Sequence, residues 1–243
     1  MDFPRLNLHI HSKYSDGRNN IKQIVRKSVE YELNYIAITD HFTNSWKASI
    51  IPNLNSKEKI NKYISEINQC QNYLKRENLK LKVFKGIEID ISSSESYILN
   101  LLNPYDFDII LFEYIESPEG IAYVKNIIKS WKKKSTAKNF PILGLAHLDP
   151  AFFIYSYFDI LITFLKDYDI YFEFNSSYSQ YYACKFQDFF LKLKESTILV
   201  AIGCDSHNLL DLMNIEEPFN MIRNYKLEDN LSMLIKLLES RDF

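Results

Sequence analysis

Seven short runs rich in β-branched and aromatic residues recur along the chain, at 6–10, 35–39, 81–89, 109–112, 142–146, 170–174 and 199–202. Longer stretches with apolar residues at helical spacing separate them, at 21–33, 56–77, 118–133, 156–166 and 180–194, and a last one covers 228–239. In that last stretch Leu231, Leu234, Ile235 and Leu238 fall on one helical face. Strand–helix alternation of this kind calls for parallel strands joined by helical crossovers. Seven such strands predict a closed or nearly closed α/β barrel. No repeat, linker or low-complexity segment interrupts the pattern, so one domain is expected over residues 1–243.

A core of this size needs enough apolar material, and 47% hydrophobic residues with 25% charged supply it. The formal net charge of −2 offers no general attraction to nucleic acid or to an anionic membrane. No stretch approaches the roughly 20 apolar residues of a membrane span. "MDFPRLNLHI" lacks the basic segment and long apolar run of a secretory leader. Cys70, Cys184 and Cys204 are odd in number, widely spaced and free of any CxxC pair. A disulfide framework is therefore not expected, and a reducing cytoplasm is. The one basic run, "KSWKKKSTAK" (129–138), reads as the solvated end of a helix; phosphate-backbone contact is the competing reading. The Tyr and Phe cluster at 152–158 reads as core and helix surface rather than a base-stacking platform.

The histidines depart from any packing pattern. All five (His9, His11, His41, His147 and His207) lie within or just after a strand-like run, in "LNLHIH", "YIAITDH", "ILGLAH" and "LVAIGCDSH". Glu88 in "FKGIEID", Glu173 in "YFEFNSS" and Asp205 in "GCDSH" do the same. In a parallel barrel the C-terminal strand ends share one face, where barrel active sites sit. Residues from 9 to 207 then converge on one cleft. His9 and His11, two apart on a strand, point to the same side and can reach one ion. Imidazole with carboxylate suits Zn, Mn or Fe. A lone histidine is ordinarily a hydrogen-bonded structural residue. Five at strand ends in the company of acids would be costly to bury unpaired. Gly17, Gly86, Gly144 and Gly203 lie in or beside these motifs, where a tight turn or a close backbone approach is wanted. Cys204, beside Asp205, reads as a small packing residue.

In order along the chain, "HIHSKYSDG", "AITDH", "GIE", "LAH" and "GCDSH" resemble the motifs of the PHP (polymerase and histidinol phosphatase) family. The resemblance implies a distorted (β/α)7 barrel, TIM-barrel-like, binding up to three divalent metal ions for phosphoester hydrolysis by a metal-bound hydroxide. It implies a first ion on His9, His11, Glu88 and Asp205, with Glu88 bridging to a second that His147 also binds. Asp16, His41 and His207 would hold the third. Asp16, His41, Glu88 and His207 carry the implied catalytic role. The family's further histidine at the end of the fourth strand is missing from "FDIILFEYIES", and Glu113 is its nearest substitute. Asn7 stands where an Asp usually precedes the first histidine, and "AHLDP" where "AHP" is common.

Asp40, Glu173 and Asn175 sit where they could orient the ligands from behind. Lys13, Arg18 and Lys85 are the nearest cations in sequence for a phosphate. A small phosphorylated substrate or a nucleic-acid end fits the resemblance. No membrane and no obligate protein partner is implied, and the length leaves no room for a polymerase. Two other readings compete: a non-catalytic metal-binding PHP module acting through a protein partner, and an amidohydrolase-like barrel, which needs a bridging Lys that no strand end here supplies.

Overall fold

The computed structural model describes residues 3–134, 140–155, 158–182 and 186–241. Eight parallel strands carry the architecture: β1 (Leu6–Ile10), β2 (Tyr35–Ile38), β3 (His41–Phe42), β4 (Lys82–Asp90), β5 (Ile109–Glu113), β6 (Ile142–Leu145), β7 (Ile170–Asn175) and β8 (Val200–Gly203). They pair in the order β1-β2-β4-β5-β6-β7-β8. The ring is brought nearly shut by a parallel bridge between Ile10 and Ser206. There the His11 amide donates to the Ser206 carbonyl at 2.9 Å, and the Ser206 amide to the His9 carbonyl at 3.1 Å. The expected distorted (β/α)7 barrel is the observed one.

β3 is the distortion. The chain leaves the ladder at Thr39–Asp40 and rejoins it with His41 opposite Glu88. β4 is long enough to serve both halves, pairing Lys82–Lys85 with β2 and Glu88–Ile89 with β3. Two residues cannot show a period, which is why no strand is legible there. Tyr63 plugs the gap, its hydroxyl lying 2.6 Å from the Ile38 carbonyl and 2.8 Å from that of Gly86. Tyr63→Phe leaves those buried acceptors without a donor and is expected to cost about 1–3 kcal/mol. Denaturant unfolding checks this; an unchanged midpoint would mean the ladder gap needs no plug.

The outer helices are α1 (Ile21–Glu30), α2 (Lys57–Arg76), α3 (Glu95–Leu101), α4 (Pro118–Lys134), α5 (Asp159–Asp167), α6 (Gln187–Glu195), α7 (Glu216–Asn224) and α8 (Glu228–Glu239). α1 opens on a capping box, with the Asn20 side chain accepting from the Gln23 amide and the Gln23 side chain from the Asn20 amide. It stops before the expected residue 33 because Glu32 turns left-handed, at φ 56°. Asn78, Asp169, Thr197 and Lys226 close α2, α5, α6 and α7 in the same conformation, so these ends carry no glycine signal.

Three further expectations need correcting. α3 and α7 are helices where none is expected; Pro218, which looks like a breaker, sits in the first turn of α7, where no amide partner is lost. α6 starts at Gln187 rather than residue 180, since 176–182 form a 3₁₀ segment kinked at Tyr178. α5 starts at Asp159, and Ser156 lies outside the described residues.

Phe153 is buried, Phe152 half exposed and Tyr155 almost fully exposed, so the aromatic cluster is divided. The basic run covers the end of α4, where Lys132 lies over the Phe140 ring at 5.2 Å; its remainder from 135 onward is outside the described residues. Cys70 and Cys204 are buried free thiols, and Cys184 is outside the described residues. Among the described residues no helix is long and apolar enough to cross a membrane.

Candidate metal centre

The nine candidate metal ligands (His9, His11, Asp16, His41, Glu88, Glu113, His147, Asp205 and His207) come together at the C-terminal end of the barrel. Glu88, on β4, is at the middle of them and fully buried. Its Oε1 lies 3.2 Å from His9 Nε2 and 3.3 Å from His147 Nε2. Its Oε2 lies 2.8 Å from His41 Nδ1 and 3.5 Å from His11 Nε2. Four imidazole nitrogens therefore face one carboxylate, yet neither oxygen has a partner in hydrogen-bonding geometry. The His9 and His11 Nε2 atoms are themselves 3.0 Å apart, with Asp205 Oδ1 at 3.5 and 3.0 Å from them. Metal–nitrogen bonds of about 2.0–2.1 Å at tetrahedral angles set neighbouring donors about 3.3 Å apart. The donors are spaced for ions between them.

Four overlapping groups of donor atoms fit an ion: His9, His11 and Asp205; His9, Glu88 and His147; His11, Asp16, His41 and His207; and His41, Glu88 and Glu113. His9, His11, His41 and Glu88 each enter two of these groups, and Glu88 is absent from the group of His9, His11 and Asp205, with which the resemblance had placed it. Glu113 joins His41, 3.3 Å away, and Glu88 rather than the group that contains His147.

The ring tautomers are set from outside. His207 Nδ1 donates to the Asp205 carbonyl at 2.8 Å, which leaves Nε2 for Asp16, 3.2 Å away. His9 Nδ1 donates to Glu173 at 3.0 Å, and the His147 amide donates to the same carboxylate at 2.7 Å. Asn175 Nδ2 also donates to Glu173, at 3.0 Å. Asp40 accepts from the Ser12 and Ser15 amides and hydroxyls, and Ser15 Oγ in turn lies 3.3 Å from His11 Nδ1. Outer partners of this kind orient ligand rings.

Close approach also explains two glycines. A Cβ on Gly203 would stand 1.9 Å from Glu173 Oε1, and one on Gly17 would stand 2.2 Å from the His11 carbonyl oxygen. Asn7 uses both ends of its amide: Oδ1 accepts from the His9 and Cys204 amides, and Nδ2 donates to Ser206 Oγ and the Leu212 carbonyl. An Asp there would have no donor for the last two. Tyr114, His147 and Asp205, which follow the ends of β5, β6 and β8, hold φ values of 66°, 35° and 47°, a strained backbone typical of functional sites.

The electrostatics show what so many acids do in one place. Burial lowers the pKa of His9 and His41, but the carboxylates around them outweigh it and raise both well above the ordinary value. His207 is pushed up to about 9, with Asp16 overcoming burial. His11 moves the other way, lowered by burial and by the charge of His41. Burial opposes ionisation of Asp16 and Asp205, and the neighbouring imidazoles reverse that and hold both low. The cluster draws positive charge.

It opens into a cleft of about 290 Å³ lined by Asp16, His41, Lys47, Glu113, Tyr178 and His207, among others. Tyr178 packs on the His147 ring, with centroids 4.4 Å apart. Lys13 and Arg18 are exposed and do not line the cleft. Lys85 pairs with Asp108, which precedes β5 at the opposite end of the barrel. The cation that does line it is Lys47, in the 3₁₀ turn Trp46–Ser49, which no sequence pattern singles out.

Comparison with known families agrees with the geometry. The model of the PHP domain matches residues 7–177, from the strand carrying His9 to the segment after Glu173. The chain belongs to the PHP family. Among curated proteins none matches it. Of solved structures, the histidinol phosphate phosphatase of Lactococcus lactis subsp. lactis, complexed with Zn, L-histidinol and phosphate, is similar. It has 18% identity and a TM-score of 0.59, over 92% of this chain and 94% of that one. A second comes from the structures of YwqE of Bacillus subtilis and CpsB of Streptococcus pneumoniae, metal-dependent tyrosine phosphatases. There the identity is 18% and the TM-score 0.51, over 91% of this chain and 93% of that one. At such identities the likeness is one of fold.

Proposed function

We propose that this PHP chain is a metal-dependent phosphoesterase acting on a small phosphorylated substrate, either a phosphomonoester or a nucleic-acid end. The observation that carries the reading is Glu88, buried and facing four imidazole nitrogens at ion-pair distance, with neither oxygen in hydrogen-bonding geometry. Membership of the family and the metal-dependent phosphatases among the similar folds support it. His9, His11, Asp16, His41, Glu88, His147, Asp205 and His207 are the proposed donors to Zn, Mn or Fe, with Glu113 completing the acidic rim. Divalent ions bound there would lower the pKa of water to about 7 and neutralise phosphoryl oxygens. Asp16, His41 and His207 border the open cleft and are placed to meet the substrate. Glu173, Asp40 and Asn175 keep the rings aimed, and the Tyr178 face forms part of the wall against which a leaving group would lie.

The test is metal analysis of the purified protein together with a screen of phosphomonoesters and short phosphorylated oligonucleotides under Mn and Zn. Bound metal and hydrolysis are expected. A chelator should bring turnover to background, and Mn or Zn should restore it. Metal without turnover on any ester would favour the non-catalytic module, and absence of both would end the reading.

A further inference from the structure

The Glu113 corner already contains a cation. Lys47 Nζ lies 2.9 and 2.7 Å from the two Glu113 oxygens and 3.5 Å from His41 Nδ1. Glu113 is buried and the Lys47 side chain is only 13% exposed. The ammonium thus faces both oxygens of one member of the His41, Glu88 and Glu113 group, and the ring nitrogen of another.

The position is held from behind as well. The Lys47 amide donates to Ser45 Oγ at 3.3 Å, where Ser45 caps the 3₁₀ turn. Ser45 Oγ donates to Asp90 Oδ2, and Thr43 Oγ1 donates to the same oxygen at 2.8 Å. Asp90 is the last residue of β4, two beyond Glu88, so the strand that supplies the central carboxylate also anchors the turn that supplies the lysine. The ammonium lies 5.0 Å from the centre of the Tyr114 ring, which adds a cation–π contact. A lysine merely folded over a barrel rim would be solvated and free to move. This one is fixed at both ends.

We propose that Lys47 is a built-in cation of the centre, occupying the corner formed by His41, Glu88 and Glu113 in place of a divalent ion. Glu113 then acts as the counter-carboxylate of Lys47 and not as a metal ligand. The proposal rests on reading the cluster as a metal centre. Its logic is charge and space. A divalent ion at this corner would need the same Glu113 oxygens and His41 nitrogen that Lys47 faces. It would also lie within a few ångströms of an ammonium in a partly dry site, where like charges repel strongly. The other three donor groups do not include Glu113, and each remains complete.

The experiment counts ions per chain, by elemental analysis and by calorimetric titration with Mn2+ or Zn2+, in the wild type and in Lys47→Met, Lys47→Arg and Glu113→Gln. Lys47→Met is expected to gain one ion over the wild type, because the vacated carboxylate and imidazole become donors. Lys47→Arg, which keeps the cation, should match the wild type. Glu113→Gln should lose no ion. Should Lys47→Met fail to fold, Lys47→Gln carries the same expectation, and Glu113→Gln tests the idea without touching the lysine. An equal, non-zero count in wild type and Lys47→Met, or an ion lost in Glu113→Gln, overturns the proposal and leaves the metal centre standing. If neither wild type nor variant binds any ion, both readings fall.

Discussion

Replacing His11 or Asp205 with Ala is expected to bring phosphoester hydrolysis to background. His11 contributes to two of the donor groups, and Asp205 Oδ1 faces the Nε2 atoms of both His9 and His11. Losing an outer partner of a metal ligand costs about 10–100-fold, and losing a donor should cost more. The barrel should survive, because neither side chain belongs to the apolar layer that packs strands against helices. The check is kcat/KM on whichever ester the wild type hydrolyses, with ion counts and circular dichroism beside it. Near-normal turnover by either variant would mean the assigned centre is not where the reaction occurs.

The second large effect should come from a single methyl group. In Gly203→Ala the new Cβ would stand 1.9 Å from Glu173 Oε1 and 2.9 Å from His9 Cβ, so the Glu173 carboxylate must move. Moving it breaks its contacts with His9 Nδ1 and the His147 amide together. Overpacking of this kind costs about 1–3 kcal/mol, and the loss of ring orientation should reduce turnover by about 10–100-fold. Gly120→Ala is the control: its Cβ meets only the end of the Ile91 side chain at 3.1 Å and the Ile115 backbone and side chain at 3.6 Å or more. If both substitutions behaved alike, Gly203 would owe its place to something other than room for Glu173.

Much of this was legible because strands announce themselves twice, once by apolar residues and once by what stands at their C-terminal ends. His9, His11, Glu88, His147 and Asp205 lie at or just beyond the ends of β1, β4, β6 and β8, and the ring geometry does the rest. Lys47 and Tyr178 come instead from 3₁₀ segments, whose paths are set by tertiary contacts such as Ser45 with Asp90 rather than by any period. Lys85 misleads for the converse reason. It shares a strand with Glu88, but three residues upstream it belongs to the far end of the barrel. The helix ends at Glu32, Asn78, Asp169, Thr197 and Lys226 were hidden because each turns left-handed without glycine. Glu113 could be placed from its strand, but its companion could not, since Lys47 reaches it from a segment 66 residues away in the chain.

The seam between Ile10 and Ser206 joins the first strand of the barrel to the residues just past the last. His9 and His11 emerge from the ribosome almost two hundred residues ahead of Asp205 and His207. Until that seam zips the donor set is not assembled, and a fragment that stops short of it lacks Asp205 from the group of His9 and His11 and His207 from that of His11, Asp16 and His41. Pairing so distant in sequence is slow to form, which makes it a late event. The full complement of ions is therefore withheld until the ring is complete, and a chain truncated before residue 205 should hold fewer ions than the whole one however well its earlier strands assemble.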